Sequence, residues 1–336
     1  MDTSNLFNST VLVEPTNVCN LKCIMCEAKC TVDADKSEIE HLMPDKFDIM
    51  LKKLDGYINN IVFQGDCEPT MNPHLEELVK IARKYTSQVA IVTNGLALTP
   101  KRIDSLIDSG VSWFALSIDD HRADVYNKIR RYSNFDKVIS NLKYLLKVRD
   151  ERAGYVKVVT HKIVFDNNTV ETLRDYIKFF YLGLGVNKVT FAPIVHEGNI
   201  NNISWIKMRN EVENSFIDEN IDINLSDFAN YPYASLYKYC GTNVFFISHL
   251  GEFAPCGLHT RSKSTFGNLY SESLDTIVEK DIFKEYHEYW KNKKYDEECP
   301  KICKNCYLLR ASYFTYCLDD GYGAMKVFSQ DNLKNC

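Results

Sequence analysis

Eight residues near the start of the chain, Cys19-Asn20-Leu21-Lys22-Cys23-Ile24-Met25-Cys26, place three cysteines at C-x3-C-x2-C spacing. They follow an apolar, β-branched stretch, Thr10-Val11-Leu12-Val13-Glu14, which reads as a strand. A strand that empties into a cysteine loop hangs a metal site at the mouth of a sheet. Three thiolates hold three irons of a 4Fe-4S cluster and leave the fourth iron open. An open iron is a place for chemistry, by the same logic as an open position on a catalytic zinc.

The cysteine count bears on this reading. Twelve cysteines fall in two groups, residues 19–30 and 240–336, with only Cys67 between. A disulfide framework spreads more evenly along a chain. The N-terminus, Met1-Asp2-Thr3-Ser4-Asn5, has neither the basic region nor the apolar core of an export signal. Clustered cysteines in such a chain point to metal rather than disulfides. Cys30, Cys67 and Cys336 fit no metal pattern, and their default is an unpaired thiol packed as a small hydrophobe. The net charge of -5 leaves no broad basic footprint for nucleic acid. No apolar run approaches the ~20 residues that cross a bilayer. A cytoplasmic protein is expected, with neither a nucleic-acid nor a membrane partner.

Residues 10–195 alternate short β-branched runs with amphipathic segments. Strands are expected at Val11–Glu14, Ile61–Gln64, Val89–Thr93, Trp113–Ile118, Val156–Val164 and Lys188–Ala192. Leu75, Leu78, Val79 and Ala82 recur at helical spacing, as do Phe135, Val138, Ile139, Leu142 and Leu146, and then Val170, Leu173, Ile177 and Phe180. Ser133 or Asn134 caps the second of these helices and Thr169 the third. Pro100 opens a helix that ends before Gly110. Such alternation means a parallel sheet with right-handed crossovers, and six β/α units give an open, partial barrel. Sites in parallel sheets lie at the carboxyl ends of the strands.

After residue 200 the pattern changes. Gly198-Asn199-Ile200-Asn201-Asn202 reads as a linker. Helix is expected over 204–219, short strands at Phe245–Ile247 and Gly251–Phe253, and a helix over Leu274–Trp290. Two domains are expected, an α/β barrel over 1–200 and a small α+β, cysteine-rich domain over 201–336.

The cysteine triad after a first strand resembles the cluster motif of radical S-adenosylmethionine (SAM) enzymes. The resemblance implies that the open iron binds the amino and carboxylate groups of SAM. One electron then cleaves SAM to methionine and a 5′-deoxyadenosyl radical, which removes a hydrogen atom from the substrate. Gly65-Asp66-Cys67-Glu68-Pro69 resembles the family's G-x-G-E-P turn, with Cys67 where a glycine is usual. Gly65 would let the backbone turn closely over the ligand, and Glu68 would contact the SAM amino group. Thr93-Asn94-Gly95 and Ser117-Ile118-Asp119 close the third and fourth strands, where the resemblance places further SAM contacts. Arg130 lies in a segment like the family's I-R pattern, and His161 on the fifth strand is a candidate SAM or substrate contact. Taken singly, each of these is equally a turn residue, a cap or a packed side chain.

Cys240, then Gly251-Glu252-Phe253-Ala254-Pro255-Cys256, then Cys303-Lys304-Asn305-Cys306 resemble the C-terminal twitch domain, the shortened form of the SPASM domain. Cys240, Cys256, Cys303 and Cys306 would hold one auxiliary 4Fe-4S cluster. A C-x2-C pair also serves as half of a zinc site or as a redox dithiol. Ser312 stands where a full SPASM pattern would continue with cysteine, and Cys299 and Cys317 are extra. The expected activity is hydrogen abstraction leading to oxidation of a sugar- or aminocyclitol-type small molecule, with reduction by a flavodoxin or ferredoxin. A barrel strand that starts about ten residues in favours a small substrate over a peptide. The alternatives are an epimerase in which Cys67 returns a hydrogen atom, a peptide maturase, and a non-catalytic iron-sulfur or zinc scaffold.

Overall fold

The computed structural model describes residues 9–26, 30, 38–193, 208, 211–216, 244–255, 265–291 and 300–303. Strand β1 (Ser9–Val13) leads into the cysteine loop, which contains the two-residue strand β2 (Lys22–Cys23). Then come α1 (Pro44–Lys53), β3 (Ile58–Phe63), α2 (Leu75–Ala82), β4 (Gln88–Thr93), α3 (Pro100–Ser109) and β5 (Trp113–Ser117). The series continues with α4 (Ala123–Ile129), β6 (Arg130–Arg131), α5 (Phe135–Arg152), β7 (Lys157–Val164), α6 (Val170–Ile177) and β8 (Lys188–Pro193). The C-terminal part adds β9 (Val244–Ile247), β10 (Glu252–Ala254), β11 (Gly267–Asn268), α7 (Leu274–Val278) and α8 (Asp281–Lys291).

Local chemistry sets the helix boundaries. Side-chain oxygens of Thr99, Asn134, Thr169 and Ser273 accept from backbone N–H groups in the first turns of α3, α5, α6 and α7. Pro100 begins α3 and left-handed Gly110 ends it. The helix expected over 274–290 is broken in two, at residues 279 and 280.

The main sheet runs β11-β10-β9-β1-β3-β4-β5-β7-β8. The six strands from β1 to β8 are parallel, as the alternation predicts. One feature was not legible in the sequence. Strand β9, from the C-terminal part, pairs in parallel with β1, Val11 opposite Phe245 and Val13 opposite Ile247. The cluster-bearing strand is therefore an interior strand, and the C-terminal strands extend the barrel sheet. Lys53 of α1 adds a second tie, donating to the backbone carbonyls of Leu269, Tyr270 and Glu272.

The two faces of the sheet differ, because successive side chains alternate. Val11, Val13, Ile61, Phe63, Val89, Ile91, Phe114 and Leu116 join the helices in one apolar core. Burying each such side chain stabilises by about 1.5–3 kcal/mol. The other face carries Leu12, Val62, Ala90, Ala115, Ser117, Val159, His161 and Thr190. Ala90, Ala115, Ser117, His161 and Thr190 make that face smaller and more polar than the core face. No helix among the described residues is long and apolar enough to cross a membrane.

Candidate active site

The carboxyl ends of the parallel strands gather most of the described residues singled out by sequence. The cysteine loop follows β1, the Gly65–Glu68 turn follows β3, Asn94 follows β4 and Asp119 follows β5. Ser117 of β5 is in register with His161 of β7, and His161 with Thr190 of β8, so the three form a row on one face.

Cys19, Cys23 and Cys26 are unbonded thiols; the first two are half-buried and the third is exposed. Burial pushes Cys19 up to about 12. It also raises Cys23, against the pull of the Arg130 guanidinium. Among the described residues, no three His, Cys, Asp or Glu side chains converge as ligands of a single ion. A 4Fe-4S cluster asks each thiolate for a different iron, and three thiolates on one loop suit that demand. Donors aimed at sulfur add to the fit. The Leu21 N–H lies 3.4 Å from Cys19 Sγ, and Arg130 Nη1 lies 3.9 Å from Cys23 Sγ. Antiparallel pairing of β2 with β6 sets Arg130 opposite Cys23.

The Gly65–Glu68 turn is tied at every residue. A Cβ on Gly65 would fall 2.5–2.7 Å from the Glu14 side chain, so glycine is required by this close approach. Glu14 Oε1 accepts from the Asp66 N–H at 2.9 Å. The Glu68 N–H donates to the Val18 carbonyl at 3.0 Å, next to Cys19. The buried Glu68 carboxylate accepts at Oε1 from the Thr70 N–H and from the hydroxyls of Thr70 and Thr93, and at Oε2 from the Asn94 N–H at 2.8 Å. A carboxylate has about four acceptor directions. Oε1 takes three of these donors and, among the described residues, Oε2 takes one, so Oε2 is the oxygen better placed for a ligand such as an ammonium group. Asn94 bridges loops, its Nδ2 donating to Asn20 Oδ1 at 2.7 Å.

Cys67 corrects the sequence reading. Its sulfur is bonded to Cys30, with Cα atoms 5.7 Å apart. The sequence leads one to expect both as unpaired thiols, and the bond replaces that expectation for this pair alone. The two cysteines are separated by 37 residues and meet only because β1 and β3 are neighbours. A bonded Cys67 has no S–H, so it can donate hydrogen only after reduction.

Asp119 is fully buried and serves two partners. Oδ2 accepts from Arg130 Nε at 2.7 Å, and Oδ1 accepts from the Ile163 N–H at 2.8 Å. The carboxylate raises the Arg130 pKa, outweighing the penalty of burial. His161 Nδ1 lies 2.9 Å from Thr190 Oγ1, and burial lowers its pKa to about 4, so the ring is neutral at pH 7.

Sequence reasoning missed Glu14, Asp120, Lys162 and His249. Lys162 is fully buried, donates to the Asp119 carbonyl and lies 3.9 Å from Asp120 Oδ2. A lysine between β-branched residues on the core face of a strand was the available signal. Of the four expected auxiliary ligands, Cys303 is described and buried. Cys240, Cys256 and Cys306 lie outside the described residues, as do Cys299, Cys317 and Cys336. Gly251 takes φ 81°, and a Cβ there would strike the Tyr270 ring, which accounts for the glycine of the G-x4-C pattern.

The family model "Radical SAM superfamily" matches residues 13–190, and that of an "Iron-sulfur cluster-binding domain", SPASM, matches 239–307. The chain belongs to the radical SAM superfamily. Its cofactors are a 4Fe-4S cluster and SAM, with auxiliary iron-sulfur binding in the SPASM domain. The chain is 23% identical over 286 residues to GTP 3′,8-cyclase of Clostridium acetobutylicum, covering 80% of this chain and 86% of that protein. It is 22% identical over 320 residues to AdoMet-dependent heme synthase of Methanosarcina barkeri, covering 87% and 89%. Streptococcus suis SuiB bound to its precursor peptide SuiA shares the fold, with a TM-score of 0.67, 14% identity, and coverage of 98% and 76%. These relatives act in different chemistries, so this radical SAM chain inherits a mechanism class from them and no substrate.

Proposed function

We propose that this radical SAM enzyme oxidises a small, hydroxyl-rich molecule of the sugar or aminocyclitol type by two electrons. The observation that supports the reading is the β1–β9 pairing. It joins the SPASM-matched segment to the strand that leads into the Cys19–Cys26 loop. When bound, SAM and its cluster would supply hydrogen-atom abstraction, and an auxiliary cluster would supply an acceptor for the electron that the substrate radical gives up as it loses a proton.

The chain's own residues do the positioning. Cys19, Cys23 and Cys26 hold the first cluster, and Arg130 supports Cys23 from behind. Glu68 offers Oε2 to the SAM ammonium, on a turn that Glu14 and Val18 keep rigid. Ser117 and His161 line the inner face as polar contacts, His161 as a neutral ring. Cys303, with Cys240, Cys256 and Cys306, holds the auxiliary cluster. A flavodoxin or ferredoxin supplies the priming electron.

A second reading is epimerisation, which the meeting of Cys67 and Cys30 at this turn favours. Reduction of the pair would place a hydrogen-donating thiol beside Glu68. One experiment separates the two. Anaerobic, cluster-loaded enzyme turns over candidate polyols in heavy water. Oxidation gives a carbonyl product without solvent deuterium at carbon and 5′-deoxyadenosine in equal amount. One deuterium per product at carbon supports epimerisation and defeats the oxidation reading. An iron content unchanged by replacing Cys303 and Cys306 removes the auxiliary cluster from either.

A further inference from the structure

At the seam between β9 and β1, a histidine of the C-terminal part reaches a carboxylate of the barrel. His249 follows β9, and its side chain is only 10% exposed. Its Nδ1 lies 3.3 Å from Glu14 Oε2, and its Nε2 lies 3.3 Å from Glu40 Oε2. The backbone on both sides is fixed. The Glu14 N–H donates to the Ile247 carbonyl at 2.9 Å, and the Tyr270 hydroxyl donates to the His249 carbonyl at 2.8 Å. Glu14 then turns its other oxygen to the Asp66 N–H, while its Cβ and Cγ fill the space over Gly65.

One carboxylate thus receives the imidazole on one oxygen and the SAM turn on the other. A charge-assisted hydrogen bond holds a group more firmly than a neutral one. Without the imidazole, Glu14 gains freedom to rotate out of the Gly65 notch, and Asp66 loses its acceptor. We infer that His249 is a positioning residue, through which the C-terminal domain holds Glu14, and with it the Gly65–Glu68 turn, in the geometry that binds SAM. This rests on the assignment of that turn to SAM. It adds that the SPASM-matched domain helps to build the SAM site through its own side chain.

The test uses the full chain. Hydrogen exchange at the Asp66 amide is followed without cluster or SAM, and SAM affinity is measured separately on the cluster-loaded enzyme. His249→Ala is expected to speed Asp66 exchange about tenfold and to weaken SAM binding about tenfold, the loss typical of one charged hydrogen bond. His249→Gln, which keeps a side-chain N–H, should recover most of the affinity. Glu40→Gln, which touches only the far nitrogen, should leave SAM binding within about twofold. Wild-type exchange at Asp66 in His249→Ala overturns the proposal. Should that variant fail to fold, Glu14→Gln reads the same link, and unchanged exchange and affinity there overturn it too. Failure of the wild type to bind SAM would instead remove the functional reading, since Asp66 exchange is read without SAM.

Discussion

The mouth of the sheet has two halves that hold buried carboxylates in opposite ways. Over β1, β3 and β4, Glu68 is surrounded by hydroxyl and backbone donors, with no cation on it among the described residues. Over β5 and β7, Asp119 and Asp120 meet full charges, Arg130 on the first and Arg122 and Lys162 on the second. The first half presents a carboxylate ringed by neutral donors, which suits a cationic ligand. The second half is neutralised internally, and its surplus donor, Arg130 Nη1, turns to a cluster thiol.

The largest expected effect falls on the neutralised half. Arg130→Met leaves Asp119 buried beside an apolar chain, and the unfolding free energy of the cluster-free protein should fall by about 3–5 kcal/mol. Adding Asp119→Asn should recover much of the loss. A denaturant titration showing less than about 1 kcal/mol for the single variant would erase the distinction between the halves.

A smaller effect belongs to the neutral-donor half. Glu68→Gln turns an amide N–H2 toward groups that already donate, and should cost about 1–3 kcal/mol. It should also weaken SAM binding more than Asp119→Asn does. Equal SAM affinity in the two variants would break the comparison at its functional end.

The smallest effect is a pH dependence at the seam. Burial pulls the His249 pKa down, but Glu14 and Glu40 outweigh it and hold the ring above its usual 6.5. His41 nearby has its own pKa lowered, by burial first and then by His74 and His249. A histidine raised in the folded state stabilises fully below the unfolded value near 6.5, and loses that contribution as pH rises through the folded value. The stability difference between wild type and His249→Gln should therefore be greatest at mildly acidic pH and fade on the alkaline side. A flat difference across that window would place His249 outside the ionic contact.

The site was legible where one segment carries its own chemistry. The three cysteines, the Gly65–Pro69 turn and Asp119 followed strands that β-branched runs announce, and parallel pairing brought those strand ends to one edge. What stayed hidden depends on segments far apart in the chain. Nothing in the sequence near Glu14 announces a partner 235 residues away in His249. Cys30 and Cys67 read as spare thiols until β1 and β3 lie side by side.

By itself the sequence determined the strand–helix alternation and the cluster loop, because hydrophobic period and cysteine spacing are local quantities, and those motifs carried the resemblance to the family. Only the tertiary structure decided that β9 joins β1, that Gly65 is glycine to make room for Glu14, and that Cys67 is bonded rather than free. Those outcomes depend on which strands become neighbours, and strand order is set by packing across the whole sheet.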